Sequence, residues 1–141
     1  MDVKFWWITT DSVTEEDSGF VNLSVARRYK NFSKLKGVVW LWFRRQVGRT
    51  DINASESIVL WAVCERHRQA SMSCRDSFSY FGAMTGLTPK TVGKAIQSLV
   101  AKKVIWLAVE GERTLLRKAR RGGRKHILLI GLGVLLVSEE D

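Results

Sequence analysis

Apolar positions recur at helical spacing through the middle of this chain and give way to β-rich runs towards its end. Asn53-Ala-Ser-Glu56 has the form of a capping box, in which an amide accepts an N–H and the third residue on reaches back. It opens an apolar helix through Ile58, Trp61, Ala62 and Cys64 that runs out in the polar stretch Glu65 to Gln69. Ser71 to Asp76 reads as a polar connector, Ser77 to Met84 as a short second helix, and Thr85-Gly86-Leu87 as a tight turn. The third helix has Thr88 as N-cap and Pro89 at the first helical position, where a missing N–H costs nothing. Val92, Ala95, Ile96 and Leu99 define its inward face, and Lys90, Thr91, Lys94 and Gln97 the opposite one. Val104 to Val109 follows as a strand, then a Gly-containing turn, a basic segment with an extra strand around Thr114 to Lys118, and a final strand from Ile127.

The first fifty residues carry weaker signals. Lys4 to Thr9 reads as a short strand, Asp11 to Gly19 as an acidic loop, and Leu23 to Phe32 as helical. Val38 to Val47 is apolar and then basic, and fits either a strand with Trp40 and Trp42 on one face or a buried helix. The longest apolar run, Ile127 to Val137, is far shorter than the ~20 residues a membrane helix needs. It reads as a buried strand or an association surface.

With 141 residues, 45% hydrophobic and 26% charged, the chain has the composition of one compact domain with extensions. The net charge of +9 is unevenly placed. From Ser77 to Ile130 there are eleven Lys/Arg against Glu110 and Glu112, while the rest of the chain sums to zero. A field concentrated in this way recruits a polyanion by releasing its counterions. The start of the chain lacks the pattern of a secretory leader, and Cys64 and Cys74 form no CxxC pair, so free thiols in a reducing cytoplasm are expected. Cys64, His67 and Cys74 are ligand types without a metal-site spacing or a fourth ligand, so no metal or cofactor is expected. Nor is an enzyme: His67 and His126 belong to no nucleophile motif, Glu15-Glu16-Asp17 reads as a solvated loop, and Gly131-Leu-Gly133 lacks the rest of a phosphate loop.

The middle of the chain has the grammar of a helix-turn-helix. Two helices crossing steeply need a small residue where their backbones approach, and Gly82 supplies it. The turn needs a residue that tolerates positive φ, which is Gly86, with Leu87 as a plug beside it. Val92, Ala95 and Ile96 then lock the second helix onto the first.

On these residues, 51 to 130 resemble the winged helix-turn-helix domains of bacterial regulators of the GntR and MarR kind, and compact versions from plasmids and phages, including replication initiators. The carrying segments are Ile58 to Cys64, Phe81 to Ile96 and Leu99 to Ile105. Two features depart from the pattern: Gly93 inside the third helix, and a long stretch from Glu110 to Arg124 between the wing strands. The resemblance implies an α+β winged helix-turn-helix, a three-helix core plus β-wing, over residues 51–137. Residues 1–50 are an extension that dimerises or completes the core, and 138–141 an acidic tail. It further implies that the third helix enters the major groove. Lys90 and Lys94 would donate to guanine or phosphate, Gln97 would read adenine, and Thr88 and Thr91 would hold phosphates. Arg117, Lys118, Arg120, Arg121, Arg124 and Lys125 put six cations in nine residues of the wing, for the backbone or a narrow minor groove. The expected function is sequence-specific binding of double-stranded DNA by a homodimeric cytoplasmic repressor or autoregulator of a mobile element, with no membrane partner and no identified effector. A replication or partition factor, or a module binding protein or RNA, are the alternatives.

Overall fold

The computed structural model describes residues 21–22, 32–68, 73–110, 115–118, 125–130 and 132. Their elements run β1 (Val21–Asn22), α1 (Phe32–Val47), α2 (Ala54–Glu65), α3 (Phe78–Thr85), α4 (Pro89–Ala101), β2 (Ile105–Glu110), β3 (Leu115–Lys118) and β4 (Lys125–Leu129). The class is α+β. No helix among the described residues is long and apolar enough to cross a membrane.

Local chemistry sets each boundary. The Glu56 N–H donates to Asn53 Oδ1 and the Asn53 N–H to Glu56 Oε1, both at 2.8 Å, so the capping box opens α2. Ser77 caps α3 by accepting from the Tyr80 N–H, and Thr88 caps α4 by accepting from the Thr91 N–H. Gly86, at φ 79°, ends α3 with its N–H on the Gly82 carbonyl at 2.8 Å. At the end of α4 the Lys103 N–H reaches the Val100 carbonyl and the Val104 N–H the Leu99 carbonyl, both at 3.0 Å. This is a Schellman closure with Lys103 in the left-handed position, at φ 58°, instead of a glycine.

The sheet has strand order β1-β3-β2-β4, antiparallel throughout. β2 lies between β3 and β4: Val109 is paired with Arg117 on one side and Lys125 on the other, and Ala108 with Lys118 and His126. Cys74 extends the β4 side by a bridge to Ile127, and Arg68 bridges Ser73. Residues 73–76 are therefore more than a polar connector, since Ser73 and Cys74 are fully buried and join this part of the α2–α3 link to the sheet.

One core lies between helices and sheet. α2 contributes Val59, Leu60, Ala62, Val63 and Cys64, α4 contributes Val92, Ala95, Ile96 and Leu99, and the strands contribute Ile105, Ala108 and Ile127 to Leu129. A fourth helix joins it, beyond the three expected. α1 buries Val38, Val39 and Trp42, and the Trp42 Nε1–H donates to the Ile130 carbonyl at 2.7 Å. Of the two readings open for 38–47, the helix holds. It separates Trp42, 1% exposed, from Trp40, which stacks edge-on against Phe43 at 5.4 Å. On α2 the apolar residues divide between two faces, because Ile58 and Trp61 point outward. The expected elements at 4–9 and 11–19, and that at 23–32 up to residue 31, lie outside the described residues, as do 133–141.

Two substitutions test these backbone demands by urea unfolding. A Cβ on Gly82 would sit 2.7 Å from the Leu87 carbonyl oxygen, so Gly82→Ala should destabilise by about 2 kcal/mol. Lys103→Gly should stabilise by ~1 kcal/mol by relieving the left-handed residue.

Candidate nucleic-acid interface

The α3–α4 corner is built around a backbone contact. Gly82 passes close enough to Leu87 that no side chain fits between them, and Phe81 beside it is fully buried. Thr85 ties the turn from within, donating from its hydroxyl to the Phe81 carbonyl at 2.7 Å and accepting from the Leu87 N–H at 3.3 Å. The sequence gives no sign of this role, because a threonine at a helix end is ordinary.

α4 emerges from the corner with sharply divided sides. Val92, Ala95, Ile96 and Leu99 are buried, while Lys90, Lys94 and Gln97 are exposed and Thr91 is half-buried. The helix contains no acidic residue. Thr88 is exposed, but its hydroxyl accepts from the Thr91 N–H at 3.1 Å and donates to Thr91 Oγ1 at 2.9 Å. That leaves the Thr91 hydroxyl proton directed elsewhere. Pro89 has no N–H, so among the described residues the Lys90 N–H is the uncapped donor of the first turn. Gly93 does not open α4 to a ligand: a Cβ there would meet the Phe78 ring at 3.5 Å, an ordinary contact inside the protein.

The far end of α4 is fixed by charge. Glu56, 1% exposed, receives Lys102 Nζ at 2.7 and 2.8 Å, the Ser98 hydroxyl, and the Asn53 N–H. Burial alone would raise its pKa, but these donors together hold it below the usual carboxylate value. Lys102 Nζ also reaches the Asp51 carbonyl, and Arg49 donates to the Lys102 carbonyl at 3.3 Å.

Of the β-segment cations, Lys125 is exposed at the start of β4, and Arg117 shares its cross-strand row through Val109. Lys118 occupies the next row, with Ala108 and His126. Arg120, Arg121 and Arg124 lie outside the described residues. His126 itself is fully buried, its Nδ1 2.8 Å from Ser73 Oγ, where no substrate reaches it.

A cluster not singled out from the sequence pins α3 to the end of α2. Arg66 donates to Asp76 from Nε at 3.0 Å, Arg68 approaches the same carboxylate at 3.5 Å, and the Arg66 guanidinium lies 4.9 Å from the exposed Tyr80 ring. Burial opposes the charge on Asp76, but Arg66 and Arg68 keep its pKa below the ordinary value. Ten residues separate Arg66 from Asp76, and nothing in that spacing announces the pair.

No group of three or more His, Cys, Asp or Glu that could hold a metal occurs among the described residues. Burial pushes the Cys64 thiol well above its ordinary range and Cys74 up to about 12, so neither is a ready ligand or nucleophile. No protein-family model, curated protein or solved structure matches this chain.

Both ring nitrogens of His67 are buried without a hydrogen-bond partner among the described residues, and burial lowers its pKa from 6.5 to about 4. The unfolded chain therefore takes up this proton first as pH falls. The contribution of His67 to stability is intact above pH 6.5 and is lost down to about pH 4, by on the order of 2–3 kcal/mol. Denaturation of His67→Phe across this range should show a correspondingly flatter pH dependence; an unaltered profile would assign the loss to other groups.

Proposed function

We propose that this chain is a winged helix-turn-helix protein that binds double-stranded DNA sequence-specifically, with α4 in the major groove and the basic β-segment on the adjacent backbone or minor groove. The observation that carries this reading is the outward face of α4. It offers two lysines, an amide and a first-turn hydroxyl, with no carboxylate, on a helix whose other side is closed by the core. Such a face suits phosphates and base edges. Further support comes from the β-strands that follow α4, where Arg117 and Lys125 occupy one cross-strand row.

In this reading Lys90 and Lys94 donate to guanine or phosphate, and Gln97 reads adenine through its amide. The Thr91 hydroxyl and the Lys90 N–H take a phosphate, while the Thr88 hydroxyl serves the helix cap. One helix reads only a few base pairs. Two copies spaced by one turn of DNA, about 34 Å, would give the specificity of a transcriptional repressor or autoregulator.

Fluorescence anisotropy with duplex DNA over a salt series tests this directly. Lys90→Ala with Lys94→Ala should reduce the slope of log affinity against log salt by about 2. Neutralising Arg120, Arg121 and Arg124 should weaken binding to all sequences and flatten the slope further, whereas Gln97→Ala should leave the slope alone and relax base preference. Failure of the wild-type chain to bind any duplex at low salt would overturn the reading.

A further inference from the structure

We propose that Arg45 and Lys103 form a phosphate-binding pair, through which the N-terminal helix α1 takes hold of the DNA backbone at the far end of α4. The pair rests on the DNA-binding reading and extends its contact surface to a part of the chain outside the helix-turn-helix and the β-segment.

Two contacts bring α1 alongside the end of α4. The Trp42 Nε1–H donates to the Ile130 carbonyl at 2.7 Å, and the Ile130 N–H donates in turn to the Val104 carbonyl at 3.1 Å. Seven residues on, just past α1, Arg49 donates to the Lys102 carbonyl at 3.3 Å. Trp42 and Arg49 thus bracket Lys103, which lies between Lys102 and Val104. Arg45 comes three residues after Trp42 and four before Arg49, on the flank of the face that buries Val38 and Trp42. It therefore borders the same spot.

Charge at this spot is unbalanced. Asp51 is engaged by Arg49 and Glu56 by Lys102, so these two cations are neutralised within the protein. Arg45 and Lys103 are both exposed and have no ion pair among the described residues. Lys103 also holds its backbone at φ 58°, in the left-handed region where glycine is unstrained. A cation is carried there at a cost to stability and beside a second cation, and strain of this kind points to a use for the side chain. Two adjoining cations without a counter-ion have the chemistry to take an oxyanion.

Which oxyanion follows from α4. Lys90, Lys94, Gln97 and Ala101 are exposed at steps of four, three and four, so they form one stripe that ends beside Lys103. From Lys90 to Ala101 the stripe runs about 17 Å, whereas the major groove is about 12 Å wide. A helix laid across the groove with its first turn at one backbone brings its last turn to the other. The phosphates there fall to Lys103 and Arg45.

Fluorescence anisotropy of the full chain with a duplex of about 30 base pairs, over a salt series, supplies the test. Arg45→Ala and Lys103→Gly should each weaken binding roughly fivefold near 0.1 M salt, on all sequences alike. Together they should lower the slope of log affinity against log salt by about 2, and Arg45→Lys alone should keep the wild-type slope. Lys103→Gly should lose affinity while its melting temperature rises, which separates the loss from unfolding. Arg44, turned about 100° from Arg45 on α1, is the control, and Arg44→Ala should leave the slope unchanged. An unaltered slope in the Arg45→Ala, Lys103→Gly chain, where Lys90→Ala with Lys94→Ala lowers it, would remove this pair and leave the reading of α4 standing. Equal losses from Arg44→Ala and Arg45→Ala would show a diffuse field in place of a site, and would overturn the proposal too. A wild-type chain that binds no duplex overturns the DNA-binding reading itself, and this pair falls with it.

Discussion

The buried carboxylate of Glu56 is the interaction on which the arrangement of helices depends. A carboxylate withdrawn from water is destabilising unless its oxygens are fully engaged. Glu56 meets that demand with three groups from two parts of the chain: the Asn53 backbone at the start of its own helix, and the Ser98 hydroxyl and Lys102 ammonium at the end of α4. The same group that starts α2 therefore anchors the end of α4, more than forty residues later. Lys102 keeps 27% of its side chain in solvent, so the pair contributes less than a fully dry one, and losing Glu56 is worth about 2–3 kcal/mol. Its larger consequence is geometric. α4 is held at its C-terminal end by charge and at its N-terminal end by the Gly82–Leu87 contact, and two fixed ends leave a short helix little freedom to roll.

That rigidity bears on the proposed recognition. A helix that reads base edges must present the same side chains at the same angle each time, because hydrogen-bond discrimination decays with small misplacement. The Glu56 anchor also sorts the cations of α4 and its C-cap by role. Lys102 is consumed inside the protein, whereas Lys90 and Lys94 stay in water. The Arg66–Asp76–Arg68 cluster does the same between α2 and α3, since two of the chain's arginines are spent on positioning. Net charge alone would have counted all of them equally as partners for a polyanion.

How far the sequence could be read follows from how local each cause is. The caps at Asn53 and Thr88, the turn at Gly86 and the inward face of α4 are governed by neighbours within four residues, and all are legible; Ser77 read as the first residue of its helix and is the cap before it. Gly82 is legible as a small residue at a helix crossing, although only coordinates reveal the Leu87 carbonyl it accommodates. Long-range pairings are another matter. Trp42 bonds to Ile130 across eighty-eight residues, so its local pattern served a strand as well as a helix. Lys102 counts in the sequence as one more cation until Glu56 meets it, and Ser73 and Cys74 read as loop although His126 meets the first and Ile127 the second. In α2 the sequence showed apolar residues without showing that they faced two ways. Periodicity reports amphipathic helices well and is silent for one that is apolar all round.

A helix apolar on two sides and a helix divided between core and cations are solutions to different problems. α4 separates its faces because one side must be dry, while the other stays in water and, in the proposed reading, meets a hydrated polyanion. α2 spends one face on the core, where Glu56 fixes α4, and leaves on the other a large aromatic and an isoleucine that no described element covers.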